Sequence, residues 1–94
     1  MDRHPALMFT FTETTDFTQS PRAGSVIAWH IRETSGEDPA VVNLRNGSAS
    51  GPILASISIV AGDSKHFAAY RPQLAPHGVY VEVEGTVQGA IQPG

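Results

Sequence analysis

The chain is predicted to be an all-β protein, a small antiparallel β-sandwich or barrel with an extended N-terminal arm. Apolar and polar residues alternate with a period of two in several short segments. Turns rich in Gly, Pro, Asn and Ser separate these segments at intervals of about 8 to 12 residues, which is typical of sandwiches and barrels. No window of ten or more residues has the apolar period of an amphipathic helix.

Length and charge limit the classes of protein that the chain can belong to. Its 94 residues correspond to one domain. Six Lys and Arg against nine Asp and Glu give a net charge of −3, so a basic surface for nucleic acid is not expected. Cysteine is absent from the sequence, which excludes a disulfide framework and a thiolate nucleophile.

No segment of the sequence predicts contact with a membrane. The longest apolar run without a charged residue, residues 51–62, is interrupted by Ser56 and Ser58. It is also shorter than the ~20 residues that a membrane-spanning helix needs. Residues 1–5 lead into no apolar signal core, so export by a cleaved leader is not expected.

The first part of the chain differs in kind from the rest, and we divide the sequence into an arm, residues 1–24, and a sandwich domain, residues 25–94. Phe9 and Phe11 alternate with threonines, which predicts a strand within residues 7–14, whereas the remainder of the arm has no period. Two arrangements are open for the arm. It can be an edge strand and loop packed on its own domain, or a segment exchanged with a neighbouring subunit or laid across it.

Residues 25–33 are predicted to form the first strand of the sandwich domain. Its buried face is expected to consist of large apolar side chains: Ile27, Trp29 and Ile31. His30 and Arg32 alternate with them and should point to the solvent or to a neighbour. A turn rich in polar residues follows and ends the strand.

The next two strands are predicted to form a hairpin. Residues 40–45 alternate in the same way, and Asn46 and Gly47 close the segment with a strong hairpin signal. Pro52 then opens the third strand, which has the clearest alternation of the chain. One face of this strand is entirely apolar: Ile53, Ala55, Ile57 and Ile59. The other face consists of Leu54, Ser56, Ser58 and Val60.

The C-terminal third is predicted to contain a short strand and a second hairpin. Residues 66–70 are expected to be a strand, and residues 71–78, with two prolines and a glycine, an irregular crossing. Residues 79–84 and 86–91 alternate on either side of Gly85 and are predicted to pair as a hairpin.

Two groups of residues have the composition of a chemical site. Glu82 and Glu84 lie two apart on a strand and could form an acid and base pair or half of a cation site, although alternating Val and Glu is typical of a half-solvated strand. The spacings of His30, His66 and His77 match no zinc pattern.

Nucleophilic and phosphate-binding motifs are also not predicted. Ser64 and His66 are close in sequence, but the strained Gly-x-Ser-x-Gly elbow is missing. The segment GSASG at residues 47–51 lacks the Lys-Ser or Lys-Thr of a phosphate loop. Trp29 and Tyr80 could stack on a sugar, but Trp29 is in phase with isoleucines and is expected to pack in the core. We therefore expect no enzyme, with no catalytic residues, no cofactor and no metal.

Three stretches carry a family resemblance that covers about half of the chain. They are LRNGSASGPIL at residues 44–54, ISIVAGDS at residues 57–64 and HGVYVEVEGTVQG at residues 77–89. With these stretches the chain resembles small all-β virion structural proteins of tailed bacteriophages. These motifs are structural rather than catalytic.

The resemblance implies a β-sandwich component of the virion, expected on the capsid exterior as a decoration or cement protein. The expected partners are the major capsid protein or another virion protein and further copies of the chain, with a trimer at three-fold positions as the first guess; no nucleic acid and no membrane are expected. The protein would be located in the virion, assembled in the host cytoplasm. Residues chosen for contacts with subunits or the capsid are Phe9, Phe11, Phe17, His30, Arg32 and Tyr80.

Two other functions stay open. The same sandwich can serve in a tail, baseplate or fibre, where it would contact host surface glycans. A protein of another class, a carbohydrate-binding or hydrolytic domain that stands alone, is the third possibility.

Overall fold

Two four-stranded antiparallel sheets pack face to face in the computed structural model, which describes residues 9–20 and 24–93, and the backbone alone at residues 69–73. The strands are β1 (Phe9–Phe11), β2 (Thr15–Asp16), β3 (Ser25–Glu33), β4 (Ala40–Asn46), β5 (Ile53–Ile59), β6 (Ser64–Leu74), β7 (Val79–Glu84) and β8 (Val87–Pro93). The prediction of an all-β antiparallel sandwich is thus confirmed. In this part of the chain no helix is long and apolar enough to cross a membrane.

The strand order is that of a jelly roll. Sheet I has the order β1-β8-β3-β6, and sheet II has the order β2-β7-β4-β5. The chain forms the nested antiparallel pairs β1/β8, β2/β7, β3/β6 and β4/β5. This is the pairing of one long hairpin that is rolled into two sheets. Only the β4–β5 connection joins neighbours within a sheet, and it is the hairpin predicted from Asn46 and Gly47.

The core lies between the sheets and is formed by alternate residues of nearly every strand. Its fully buried members with the largest side chains are mostly aliphatic: Val26, Ile31, Val42, Leu44, Ile59, Val79, Val81 and Ile91. The bounds of β3 are as predicted, and Ile31 is buried. A β-bulge between Val26 and Ala28 shifts the phase, so Val26 is buried and Ile27 is only half-buried.

The described part of the arm, residues 9–20 and 24, packs on its own domain in this single chain. β1 forms one edge of sheet I, and β2 forms one edge of sheet II. Phe9 and Phe11 are buried in the core, and Phe17 stacks on Phe9 with ring centroids 5.0 Å apart. Residues 1–8 and 21–23 of the arm lie outside the described residues. Residues 7 and 8, the start of the strand predicted at residues 7–14, are among them.

The irregular crossing predicted at residues 71–78 begins too early. β6 runs through Pro72 to Leu74, and the turn follows at residues 75–78, where the Gly78 N–H donates to the Ala75 carbonyl at 2.8 Å. Proline is compatible with this strand because β6 is an edge strand of sheet I, with one side free of ladder hydrogen bonds.

The predicted hairpin around Gly85 is wrong. β7 belongs to sheet II and β8 to sheet I, so the chain crosses between the sheets at Gly85. Gly85 has φ +111°, and an added Cβ would lie 2.8 Å from the Cβ of Ala40. In a sequence, a glycine between two alternating segments is compatible with a hairpin and with a crossing between sheets. The closeness of Ala40 shows that this crossing requires a glycine at position 85.

Candidate functional site

The six residues chosen from the sequence for contacts do not form one surface. Phe9 and Phe11 are 8% and 4% exposed and present little surface to a neighbour, so a contact role for them would require exchange of the whole strand. His30 and Arg32 are exposed on the outer face of sheet I, as expected. Tyr80 is half-buried on the outer face of sheet II. Their role in assembly stays a prediction.

His30 and Arg32 lie in an open groove on the outer face of sheet I, with a volume of about 660 Å³. Strands β1, β8, β3 and β6 all contribute to it. Apart from Phe11, its lining is polar or small: Thr10, Thr12, His30, Arg32, Ser64, Gln88, Gly89 and Ala90. We call it the sheet I groove.

The strand register explains why these residues meet. In one row across sheet I, Thr10 is paired with Ala90, Ala90 with His30, and His30 with His66. In the next row Gln88 is paired with Arg32, and Arg32 with Ser64. The alternation in the sequence predicts that His30 and Arg32 are exposed, but it does not predict their partners, because the pairing joins segments far apart in sequence.

The groove combines cationic and neutral polar groups. The side chain of Arg32 makes no hydrogen bond or ion pair with any residue that the structure describes. The ring of His30 lies 6.4 Å from that of His66. Among the strands of sheet I that the structure describes, the single carboxylate is that of Glu33, which is buried rather than part of the groove. The arrangement favours an anionic group next to Arg32.

His30, His66 and His77 are not brought together in the part of the chain that the structure describes. His77 lies in the β6–β7 connection, where its N–H donates to Asn46 Oδ1 at 2.9 Å, away from the pair formed by His30 and His66. Within residues 9–20 and 24–93, no group of three or more His, Asp or Glu side chains is placed to hold a metal ion.

The outer face of sheet II carries a hydrogen-bonded network around Glu82. Its Oε1 accepts from Asn43 Nδ2 at 2.9 Å and from Arg45 Nε and Nη2 at 3.2 and 3.1 Å. Arg45 Nη1 also donates to the Gly51 carbonyl at 2.8 Å, and the Ser56 hydroxyl donates to Asn43 at 2.6 Å. Hydrogen bonds from Asn43 and then Arg45 lower the pKa of Glu82.

This network gives Glu82 a structural role. One of its oxygens is occupied by three donors, which link β7 to β4 and, through Arg45, to the β4–β5 turn. The two-carboxylate site considered for Glu82 and Glu84 therefore gains no support from the geometry. The sequence places Asn43 and Arg45, the partners of Glu82, on one face of a predicted strand. It does not give the register of that strand with Glu82.

A third feature, missed in the sequence, is the buried carboxylate of Glu33, which is 1% exposed. Its Oε2 accepts from the Ser35 N–H at 2.9 Å, and its Oε1 accepts from the N–H groups of Gly36 and Gly62 at 2.7 and 2.9 Å. The Ser35 side chain and these backbone donors outweigh desolvation and lower the pKa of Glu33 to about 2. Glu33 thus holds two loops at one end of the sandwich.

The sandwich exposes apolar side chains where β5 and β6 lie next to each other at the edges of their sheets. We call the four residues on or beside these strands the apolar edge: Ile53 (50% exposed), Val60 (64%), Phe67 (45%) and Leu74 (65%). Behind them the Trp29 ring lies 5.4 Å from that of Phe67, and the buried indole N–H of Trp29 has no hydrogen-bond partner in the described structure. Exposed apolar residues along an unpaired strand edge are typical of an interaction surface.

No family model matches the chain, and no curated protein is significantly similar to it.

Proposed function

We propose that this protein is a bacteriophage virion structural protein, a capsid decoration subunit that binds the outer shell and stabilises it through contacts between subunits. It acts without catalysis. Two features support the proposal besides the resemblance of its motifs to phage virion proteins. The jelly roll is an architecture that viral capsid proteins use repeatedly. The surface also offers an apolar edge on which a subunit contact can form.

The motifs that carry the resemblance lie at turns of the sandwich. GSASG forms the β4–β5 turn, and the AGDS stretch leads from β5 into β6. Gly78, the second residue of the last stretch, has φ +92°, and an added Cβ there would lie 2.7 Å from the Cα of Thr18. The motifs therefore contribute to the turns of the fold, and they support a similarity of fold to the phage proteins. They do not indicate which surface docks, so the docking surface is inferred from exposed side chains.

The apolar edge is the observation that carries the proposal. β6 is 11 residues long, and on its free side its backbone N–H and C=O groups have no strand partner in the described structure. Side chains as large as Phe67 and Leu74 are exposed on the same strand. A second copy of the chain that packs along β5 and β6 would cover these side chains and satisfy the strand edge. Repetition of this contact gives the homo-oligomer, for which a trimer is the first arrangement to test.

Addition of the purified protein to shells that lack it tests the proposal. We expect the protein to bind the shells and to raise their melting temperature. A Phe67→Ser, Leu74→Ser double variant should lose the subunit contact and most of the added shell stability. Ser58→Ala, an exposed change on the outer face of β5, is the matched control and should behave like the original chain. Failure of the original protein to bind shells would contradict the proposal.

The sheet I groove favours a second candidate, a tail, baseplate or fibre module that contacts host surface glycans. A groove lined by hydroxyl, amide, imidazole and guanidinium groups is suited to a polar ligand. Binding to tail tubes or to the host envelope, without binding to shells, would select this candidate over capsid decoration.

A further inference from the structure

The sheet I groove has the size and shape of a small-ligand site. Its volume of about 660 Å³ falls within the range of about 300 to 1,000 Å³ usual for ligand sites. Its residues are distinct from those of the apolar edge, so a ligand in the groove does not compete for the same side chains. Binding there also does not depend on whether the chain is part of a capsid or a tail.

Two small side chains, Ala90 and Ser64, lie along the groove between larger ones, and Gly89 lines it as well. Gly89 is imposed by the core, because an added Cβ would lie 2.6 Å from Cζ of Phe11. The ring of Phe11 packs against this glycine from the inside and is only 4% exposed, so it offers a ligand little surface for stacking.

The charge of the groove is opposite to that of the protein. The chain has a net charge of −3, but the groove lining contains Arg32 and His30 and no carboxylate. His66 adds a second imidazole next to His30. The exposed strand carboxylates, Glu84 among them, belong to sheet II. A cationic concave surface on an acidic protein attracts an anionic ligand, and a guanidinium binds a carboxylate through two parallel hydrogen bonds.

The remaining groups restrict the ligand further. Thr10, Thr12 and Ser64 supply hydroxyls, and Gln88 supplies an amide, which together can donate to and accept from several ligand hydroxyls. A neutral sugar would depend on stacking against an exposed aromatic face, which the groove lacks. A polyanion such as nucleic acid would require more than one arginine. We propose that the sheet I groove binds a carboxylate-bearing saccharide, with its carboxylate on Arg32 and its hydroxyls on Gln88 and the hydroxyl side chains.

Titration of the purified chain with oligosaccharides of galacturonic acid, followed by amide chemical shifts, tests the proposal. We expect saturable shifts at Arg32, Gln88 and their neighbours. The neutral galactose oligomer of the same length should bind at least about tenfold more weakly, as should acetate alone, because each lacks one half of the recognised chemistry. Sialylated and glucuronic acid oligosaccharides, tested in the same way, identify the preferred sugar acid.

Variants separate the groove from general electrostatics. Arg32→Gln should weaken binding by about tenfold or more, since it removes the charge and the paired donors. Lys65→Gln makes the same change of net charge on an exposed side chain outside the groove lining and should leave binding unchanged. Both variants should keep the melting temperature of the original chain.

Three results of the ligand titrations would overturn the assignment. They are an absence of binding by every uronic acid oligomer at about 10 mM, equal binding by Arg32→Gln, or acetate binding as strong as that of the oligosaccharide. Amide chemical shifts of the groove residues that change with protein concentration instead of ligand concentration would indicate that the groove binds the acidic face of another copy. This result would also overturn the assignment of the groove to a saccharide.

Discussion

The carboxylate of Glu33 lies 2.9 Å from the backbone nitrogen of Gly62, which is 29 residues further along the chain, and so joins two loops. The same carboxylate holds the N–H groups of Ser35 and Gly36 in the loop after β3. The Glu33 N–H also donates to the Asp63 carbonyl at 2.9 Å. One buried carboxylate therefore links the β3–β4 connection to the β5–β6 connection at one end of the sandwich.

Replacement of Glu33 by Gln is expected to lower the melting temperature by several degrees at neutral pH, because a neutral amide is a weaker acceptor for three N–H groups. The effect should depend on pH. The pKa of Glu33 falls from an ordinary value of 4.5 to about 2, so its contribution is complete above about pH 4.5 and is lost as the pH falls through 2. Thermal melts of both proteins between pH 2 and 7 should converge at the acid end; a gap that stays constant would contradict this role.

Replacement of Gly89 by Ala should destabilise the chain by about 1 to 3 kcal/mol, since the new methyl group would overlap the buried ring of Phe11. Urea unfolding measures the loss. Gly24→Ala is the control, because its nearest atom beyond the chain neighbours is the Ala75 carbonyl oxygen at 4.0 Å. In a double-mutant cycle, Phe11→Leu should remove part of the penalty at residue 89. Additive losses would show that the two residues are not in contact.

Replacement of Arg45 by Lys should lower the melting temperature by a few degrees although the charge is kept. One ammonium cannot reach both Glu82 and the Gly51 carbonyl as the guanidinium fork does. Hydrogen exchange should show faster exchange in the β4–β5 turn. Ser48→Ala, an exposed change in the same turn, should leave the exchange of β4 unchanged. Equal protection in Arg45→Lys and the original chain would refute the network.

Removal of residues 1–17 should abolish folding, because it deletes β1 and β2 together with Phe9 and Phe11 from the core. Phe11→Ala alone should cost about 3 to 5 kcal/mol. Near-ultraviolet circular dichroism and amide spectra measure both. A truncated chain that folds and merely fails to assemble would show that the arm belongs to the contact between subunits.

Local patterns predicted those parts of the fold that local chemistry determines. The alternation from Ser25 to Glu33 defined β3, and Asn46 with Gly47 defined the hairpin that follows β4, since turn geometry at Asn-Gly fixes the pairing of its flanking strands. The exposure of His30 and Arg32 follows from the same alternation.

Non-local pairing accounts for the parts that were not predicted. Gly85 permits a hairpin or a crossing, and only the packing of Ala40 against it decides between them. Pro72 resembles a strand breaker until β6 is known to be an edge strand. The groove and the network of Glu82 require strand order, which the sequence did not supply. Glu33 gave no signal, because a carboxylate at the end of a strand is usually exposed.

A cryo-electron microscopy map of the intact particle tests the central proposal most directly. The account predicts density for a jelly roll at regularly repeated positions on the outside of the shell, with neighbouring copies meeting along β5 and β6. Density for this chain in the tail alone, or a particle that contains none of it, would contradict the account.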